Sequence, residues 1–176
     1  MDDAVDNCPT FANPSQGDID DDGSVDIIAS DGNGFIVMVD KDGEVQRISD
    51  QSAIVGAKPN VFGWGGGIAI GDMNQDGFPE IALGASLFTT TDNAITRLWA
   101  GASSHQAGRG LSHMVDLDGD GALELLAGNT AYEYDGTILW QRNDLSSNSS
   151  TAVGDVDDDG DVEAVLVQNF VRVLNG

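Results

Sequence analysis

Basic residues are scarce in this chain of 176 residues. Seven Lys and Arg stand against 30 Asp and Glu, for a net charge of −23. Such a chain repels nucleic acid and anionic membranes, because seven cations cannot supply the contacts those partners need. Long hydrophobic runs are missing as well. None approaches the ~18 apolar residues of a membrane span, so membrane insertion is not expected. Met1-Asp2-Asp3 is acidic where a secretory leader is basic and then apolar, so the chain reads as a fragment start rather than a mature terminus. Cys8 is the only cysteine, which excludes an internal disulfide and leaves the redox compartment unread. Histidine is limited to His105 and His113. The apolar fraction of 40% nonetheless fits a globular domain with a core, not a disordered acidic tail.

The acidity has a pattern. A nine-residue phrase with Gly sixth and a carboxylate ninth occurs four times, at Asp18–Asp26, Asp72–Glu80, Asp116–Glu124 and Asp155–Glu163. Positions 1, 3, 5 and 9 carry oxygen side chains in every copy. They are Asp18, Asp20, Asp22 and Asp26; Asp72, Asn74, Asp76 and Glu80; Asp116, Asp118, Asp120 and Glu124; and Asp155, Asp157, Asp159 and Glu163. These oxygens can converge on one hard cation only if the backbone curls sharply, which Gly permits. Fifteen of the 30 acidic residues occupy these positions, and four divalent ions would bring the charge from −23 to −15. Each phrase is therefore read as a calcium loop, up to four in all, with the carbonyl of position 7 (Ser24, Phe78, Ala122, Asp161) completing the set. Magnesium suits such flexible, carboxylate-rich loops less well. Asn74 leaves the second loop less charged, and Asp21, Asp158 and Asp161 add long-range attraction.

The phrases start 54, 44 and 39 residues apart, a spacing of propeller blades or helical arrays. Strand-like runs decide between them. Ile68–Ile70, Leu111–Val115 and Thr151–Val153 precede the last three loops. Val25–Ala29, Ile81–Leu83, Leu123–Ala127 and Val162–Val167 follow all four. These runs are short, rich in Val, Ile and Leu and bounded by Gly, so each loop joins two strands of a hairpin. Second hairpins follow at Phe35–Val39 with Glu44–Ile48, and at Tyr132–Tyr134 with Thr137–Trp140 across Asp135-Gly136, read as a two-residue turn. In the second unit the bend is placed at Thr89–Asn93. Trp99 and Trp140 close their units at equivalent places. Two hairpins make one four-stranded blade, so the expected fold is all-β: a partial β-propeller of about three and a half blades. Its units start near residues 18, 60, 110 and 150, the last cut short. Completion by further blades of a longer chain is expected, with pairing of two copies or an open stack as alternatives.

Around the second loop, Phe62-Gly63, Gly65-Gly66-Gly67, Ile68-Ala-Ile-Gly-Asp72 and Ile81-Ala-Leu-Gly-Ala85 resemble the FG-GAP repeat of integrin-alpha-like propellers. Ser86 stands where that family usually has Pro. The third and fourth units resemble the related VCBS repeat. The resemblance covers 18–176 and implies calcium bound in blade hairpins, bracing them, while partners dock elsewhere. Residues 1–17, with Asp6-Asn-Cys-Pro9, Asn13-Pro14 and Gln16, resemble a thrombospondin type 3 segment leading into the first loop. Ile28 replaces the Cys that such a segment would place there, so Cys8 lacks its usual partner. The first loop belongs either to a blade or to that segment.

Other features read more plainly. Asp40-Lys-Asp-Gly43 is a hairpin turn, and Gly63–Gly67 lacks the Lys of a phosphate loop. Ser103, Ser104 and His105 form no triad legible without geometry. Asn148-Ser-Ser150 is a formal glycosylation acceptor. The expected function is a calcium-binding, secreted or cell-surface module for adhesion or for binding a protein or glycan. A calcium-dependent polysaccharide lyase or hydrolase, with Arg97, Arg109 and His113 as candidate active groups, and a passive spacer are the alternatives.

Overall fold

The computed structural model describes residue 19 and residues 25–53, 67–91, 93–101, 111–145 and 150–174. The thrombospondin-like segment, Cys8, His105, Arg109, Asn148 and the first-loop residues Asp18, Asp20, Asp22 and Ser24 lie outside the described residues.

Alternation and short apolar runs build strands here, and no helix occurs among the described residues. Four antiparallel sheets follow one another along the chain. The first holds β1 (Ile27–Ser30), β2 (Ile36–Val39) and β3 (Val45–Ile48). The second holds β4 (Ile68–Gly71), β5 (Glu80–Leu83), β6 (Ser86–Thr91) and β7 (Ala94–Ala100). The third holds β8 (Ser112–Val115), β9 (Glu124–Ala127), β10 (Thr130–Tyr132) and β11 (Ile138–Gln141). The fourth holds β12 (Ser150–Gly154), β13 (Glu163–Val167) and β14 (Val171–Leu174). Every strand pairs with its neighbour in sequence, the up-and-down order of a propeller blade, and the whole is a partial β-propeller. Each of the last three acidic phrases joins the first two strands of its sheet.

Period-two alternation gives each sheet two faces, and neighbouring sheets share them. Ile28, Ile36 and Met38 of the first sheet meet Ile81, Leu83 and Phe88 of the second. The opposite face of the second sheet, Ala82, Leu87 and Trp99, meets Leu125, Ala127 and Tyr132 of the third. Leu126, Ala131 and Trp140 then meet Ala164, Leu166 and Leu174 of the fourth. Sheets two and three are covered on both sides, so all four residues of β5 and of β9 are buried. That is why their sequences read as continuous rather than alternating apolar runs. Trp99 pairs with Leu87 and Trp140 with Ala131, on corresponding faces of their outer strands, as the sequence spacing implied.

Hydrogen bonds stitch the sheets together. Ser86 Oγ donates to the Ala53 carbonyl at 2.9 Å, Ser112 Oγ to Gly84 at 3.2 Å and Thr151 Oγ1 to Leu111 at 3.1 Å.

The outer hairpin turns correct one expectation. Asp135-Gly136 is not a two-residue turn, because only Gly136 has a positive φ, +86°. Glu133 N donates to Thr137 O and Gly136 N to Glu133 O, both at 2.9 Å. This is a type I turn ending in a left-handed Gly, which allows Asp135 to keep an ordinary backbone and cap Thr137 N through Oδ1 at 2.8 Å. The turn at Asp40–Gly43 is built alike. In the second sheet β6 runs on to Thr91, so the bend is shorter than the Thr89–Asn93 expected.

Candidate metal centres

The acidic phrases curl by a shared set of backbone bonds. The position-1 carboxylate accepts amide hydrogens from the far side of the loop. Gly77 N donates to Asp72 at 2.9 Å, Gly121 N to Asp116 at 3.0 Å and Gly160 N to Asp155 at 3.0 Å. The sixth-position glycines have φ of +94°, +93° and +98°, the conformation for which Gly was singled out. Position 4 is left-handed too, at Gln75 (φ +58°), Gly119 (+74°) and Asp158 (+64°). Sequence reasoning missed that second bend, although Gly119 was a signal for it.

The ninth-position carboxylate closes the loop. Glu80 Oε2 accepts from Met73 N at 2.9 Å, Glu124 Oε2 from Leu117 N at 2.6 Å and Glu163 Oε2 from Val156 N at 2.8 Å. Asp26 takes the same bond from Ile19 N at 2.8 Å, so the described ends of the first loop follow the same plan. These three glutamates are buried, at 0%, 0% and 1% exposure.

In the third loop Asp116, Asp118 and Glu124 bring carboxylate oxygens within 4.8 Å of one another, a group able to hold a metal ion. Asp155, Asp157 and Glu163 do so in the fourth. Asp120 and Asp159 lie outside these groups and cap Ala122 N at 2.8 Å and Asp161 N at 3.0 Å. In the second loop Asp76 caps Phe78 N at 2.8 Å. Asn74 there accepts from Asp76 N at 3.0 Å through Oδ1 and donates from Nδ2 to Asp76 Oδ2 at 2.9 Å.

Electrostatics separates the loops further. Burial, joined by the charges of Asp118, Glu133 and Asp116, pushes Glu124 from 4.5 up to about 7. Burial also raises Glu80, with Asp76 and Asp72 contributing. Glu133 was not foreseen. The β9–β10 register sets it opposite Glu124, and burial with Asp118 and Asp120 raises its own pKa. In the second sheet Thr89 holds that place and its Oγ1 reaches Glu80 Oε1 at 3.4 Å. Glu124 Oε1 and Glu163 Oε1 are buried without any hydrogen-bond partner. A buried anionic oxygen without a donor is costly unless a cation or proton sits against it. The all-oxygen, carboxylate-rich donor set fits a hard divalent cation. A cleft of about 150 Å³ separates the third and fourth loops, lined by Asp116, Asp118 and Asp161 among others.

The candidate active groups are held otherwise. Arg97 donates to the Ser52 carbonyl and to Gln51 Oε1, in the segment that follows the first sheet. His113 Nε2 lies 3.1 Å from the Thr151 carbonyl, to which it can only donate.

Comparison with known proteins supports the propeller fold. Residues 64–102 match the FG-GAP repeat, the unit that holds the second acidic loop. No curated protein sequence matches the chain. Among solved structures, the V. cholerae biofilm matrix protein Bap1 superposes with a TM-score of 0.66 at 25% identity, over 90% of this chain and 26% of that one. The rhamnogalacturonan lyase YesW superposes with a TM-score of 0.53 at 18% identity, over 80% of this chain and 29% of that one. The chain thus spans about a quarter of the length of these proteins. No helix among the described residues is long and apolar enough to cross a membrane.

Proposed function

We propose that this chain is a calcium-binding, extracellular propeller module serving adhesion or the binding of a protein or glycan, with calcium in a structural role. One observation carries the reading: two buried glutamates, Glu124 and Glu163, each present an unpartnered oxygen within a cluster of aspartates. A divalent ion held by Asp116, Asp118 and Glu124, or by Asp155, Asp157 and Glu163, supplies the missing positive charge. The residues do the rest: the position-1 carboxylates fix the curl and the glutamates lock the loop entrance. The ion then ties together two strands of each sheet, and calcium completes up to four loops when the first and second are counted.

Location follows from affinity. At about 1 mM calcium and a Kd of about 0.1 mM, each site stabilises the fold by about 1.4 kcal/mol. Cytosolic calcium is far too low to fill loops of that affinity, so secretion or surface display suits them. The likeness to a biofilm matrix protein supports an extracellular binding role. The likeness to a lyase supports only the fold, and Arg97 and His113 are engaged in contacts between sheets. Melting the protein in calcium and in chelator tests the proposal. A large rise in Tm with calcium is expected, and coincident curves would refute the structural role. Glycan and matrix-protein arrays then read out binding, while turnover of acidic polysaccharides would favour the lyase reading instead.

A further inference from the structure

The residue across from the last carboxylate of a phrase differs between sheets, and the difference sets the third loop apart. In the second sheet that place holds Thr89, whose Oγ1 donates to Glu80 Oε1 at 3.4 Å. In the first, the register that pairs Ile27 with Val39 sets Asp40 across from Asp26. Asp40 gives its carboxylate to its own turn, accepting from Asp42 N and Glu44 N at 2.9 Å and from Gln46 Nε2 at 2.6 Å. The third sheet places Glu133 there. In its turn the capping falls to Asp135, which leaves the Glu133 carboxylate outside that bond.

Glu133 shares a face with Glu124 and is held beside it. Tyr132 packs toward the second sheet and Ala131 toward the fourth. Period two then puts Glu133 on the side of Ala131, which is also the side of Leu126 and hence of Glu124. Glu133 N donates to Thr137 O and its carbonyl accepts from Gly136 N, both at 2.9 Å. The next residue is pinned to the second sheet, where Trp99 Nε1 donates to Tyr134 O at 2.8 Å.

Like charges directly opposite on paired strands destabilise a sheet. Where Thr89 offers Glu80 Oε1 a hydroxyl, Glu133 offers Glu124 none, and Glu124 Oε1 is buried without a partner. Burial raises both glutamates, and charge adds to it: Asp118 and Glu133 act on Glu124, Asp118 and Asp120 on Glu133. Glu133 stands outside the tight group of Asp116, Asp118 and Glu124, as repulsion dictates for a fourth carboxylate. A cation against that group reverses the sign of the force on Glu133.

We infer that Glu133 is an affinity-determining carboxylate of the third cation site, supplied from a third strand. The inference rests on the reading of these loops as calcium sites. An ion held there ties the β10–β11 turn to β8 and β9, whereas the second loop joins β4 and β5 alone. Affinity in such oxygen cages rises with carboxylate count and rigidity, and Glu133 adds to both.

Calorimetric calcium titration of the whole chain tests this, with Glu133→Gln and with Glu133→Thr, which copies the second sheet. Each substitution is expected to weaken one calcium site by about 10-fold or more and to leave the others unchanged. The loss should persist in about 0.5 M KCl, where attraction from beyond a few ångströms is screened. It should vanish in a Glu124→Gln background, whose third site is already crippled, and survive in a Glu163→Gln background. In chelator, Glu133→Thr is expected to melt at or above the wild type, since repulsion is removed and a hydroxyl is offered to Glu124 Oε1. A wild-type chain that takes up no calcium fails the proposed function, and this inference with it. Calcium uptake that neither substitution alters overturns the inference alone. So does a loss abolished by salt, which makes Glu133 a distant charge, or one undiminished by Glu124→Gln, which places its effect at another loop. A Glu133→Thr chain that melts well below the wild type in chelator assigns Glu133 to the hairpin itself and overturns it too.

Discussion

Asn74 Nδ2 donates to Tyr134 Oη at 3.1 Å, tying the second acidic loop to the outer hairpin of the third sheet. Gln75 Nε2 adds a second tie, to the Gly121 carbonyl of the third loop, at 2.8 Å. The same Asn74 amide nitrogen donates to Asp76 Oδ2, where the other loops have only a carboxylate. The amide thus takes over part of the task of a cation. Asn74→Asp is expected to cost about 1–3 kcal/mol in chelator, because a donor becomes a like charge. The same change is expected to raise calcium affinity at this loop. Chemical denaturation and calorimetric titration read the two effects, and their opposite signs are the point of the comparison.

Glu124 makes the metal-free protein sensitive to pH. Its folded pKa, raised by burial to about 7, exceeds the ordinary 4.5. The folded state therefore holds the proton more tightly than the unfolded state between these values. Stability in chelator is expected to fall as pH rises from about 4.5 to about 7 and to level off above, by at most about 3 kcal/mol. Glu80 and Glu133 are raised in the same direction, so the comparison that isolates Glu124 is wild type against Glu124→Gln. Calcium is expected to reverse the picture, since an ion held by this carboxylate would expel the proton. Affinity is expected to drop below pH 7, with proton release visible in buffers of different ionisation enthalpy.

Much of this was readable in advance, and the exceptions have physical causes. The spacing of oxygens around an obligatory Gly located the loops, and Gly77, Gly121 and Gly160 adopt the backbone that spacing required. Short Val, Ile and Leu runs located the strands because they are buried on two faces, as Leu125 and Leu126 show. What escaped was non-local or conformational. Glu133 joins the third cluster only through the register of β9 on β10, which no local pattern encodes. Asp135-Gly136 resembled a two-residue turn because the dipeptide does not reveal which residue takes positive φ. The partnering of Arg97 across to Gln51 and Ser52 depends on sheet packing alone.

Asp158 carries a strained backbone in the fourth loop. Its φ is +64°, while the third loop places Gly119 there at +74°. An L-residue held left-handed costs about 1 kcal/mol relative to Gly. Its amide, not its side chain, makes the loop contact, donating to Asp155 Oδ1 at 2.6 Å. Asp158→Gly is expected to raise stability by about 0.5–1 kcal/mol in chelator, where the strain is relieved, and by less with calcium, since the variant also loses the long-range attraction of Asp158 for the ion. Denaturation midpoints that fall in both conditions would show that the side chain has a role the geometry does not reveal.

Glu163→Gln separates a cation site from an ordinary buried carboxylate. The amide oxygen can still accept from Val156 N, so the closing bond of the fourth loop survives. The other terminal atom becomes an NH2 group that can donate toward Asp155 or Asp157, where Glu163 Oε1 now has no partner. Without metal, removing a buried charge beside two others relieves repulsion, so the variant should melt at or above the wild type. With calcium the order must invert, because the variant lacks one anionic ligand and forfeits that site's share of stabilisation, about 1–2 kcal/mol. Two melting curves per protein, in chelator and in about 1 mM calcium, are enough. A loss of stability that is equal in both conditions would assign Glu163 to packing alone. Crossing curves require an ion at this carboxylate, because nothing else in the comparison depends on the cation.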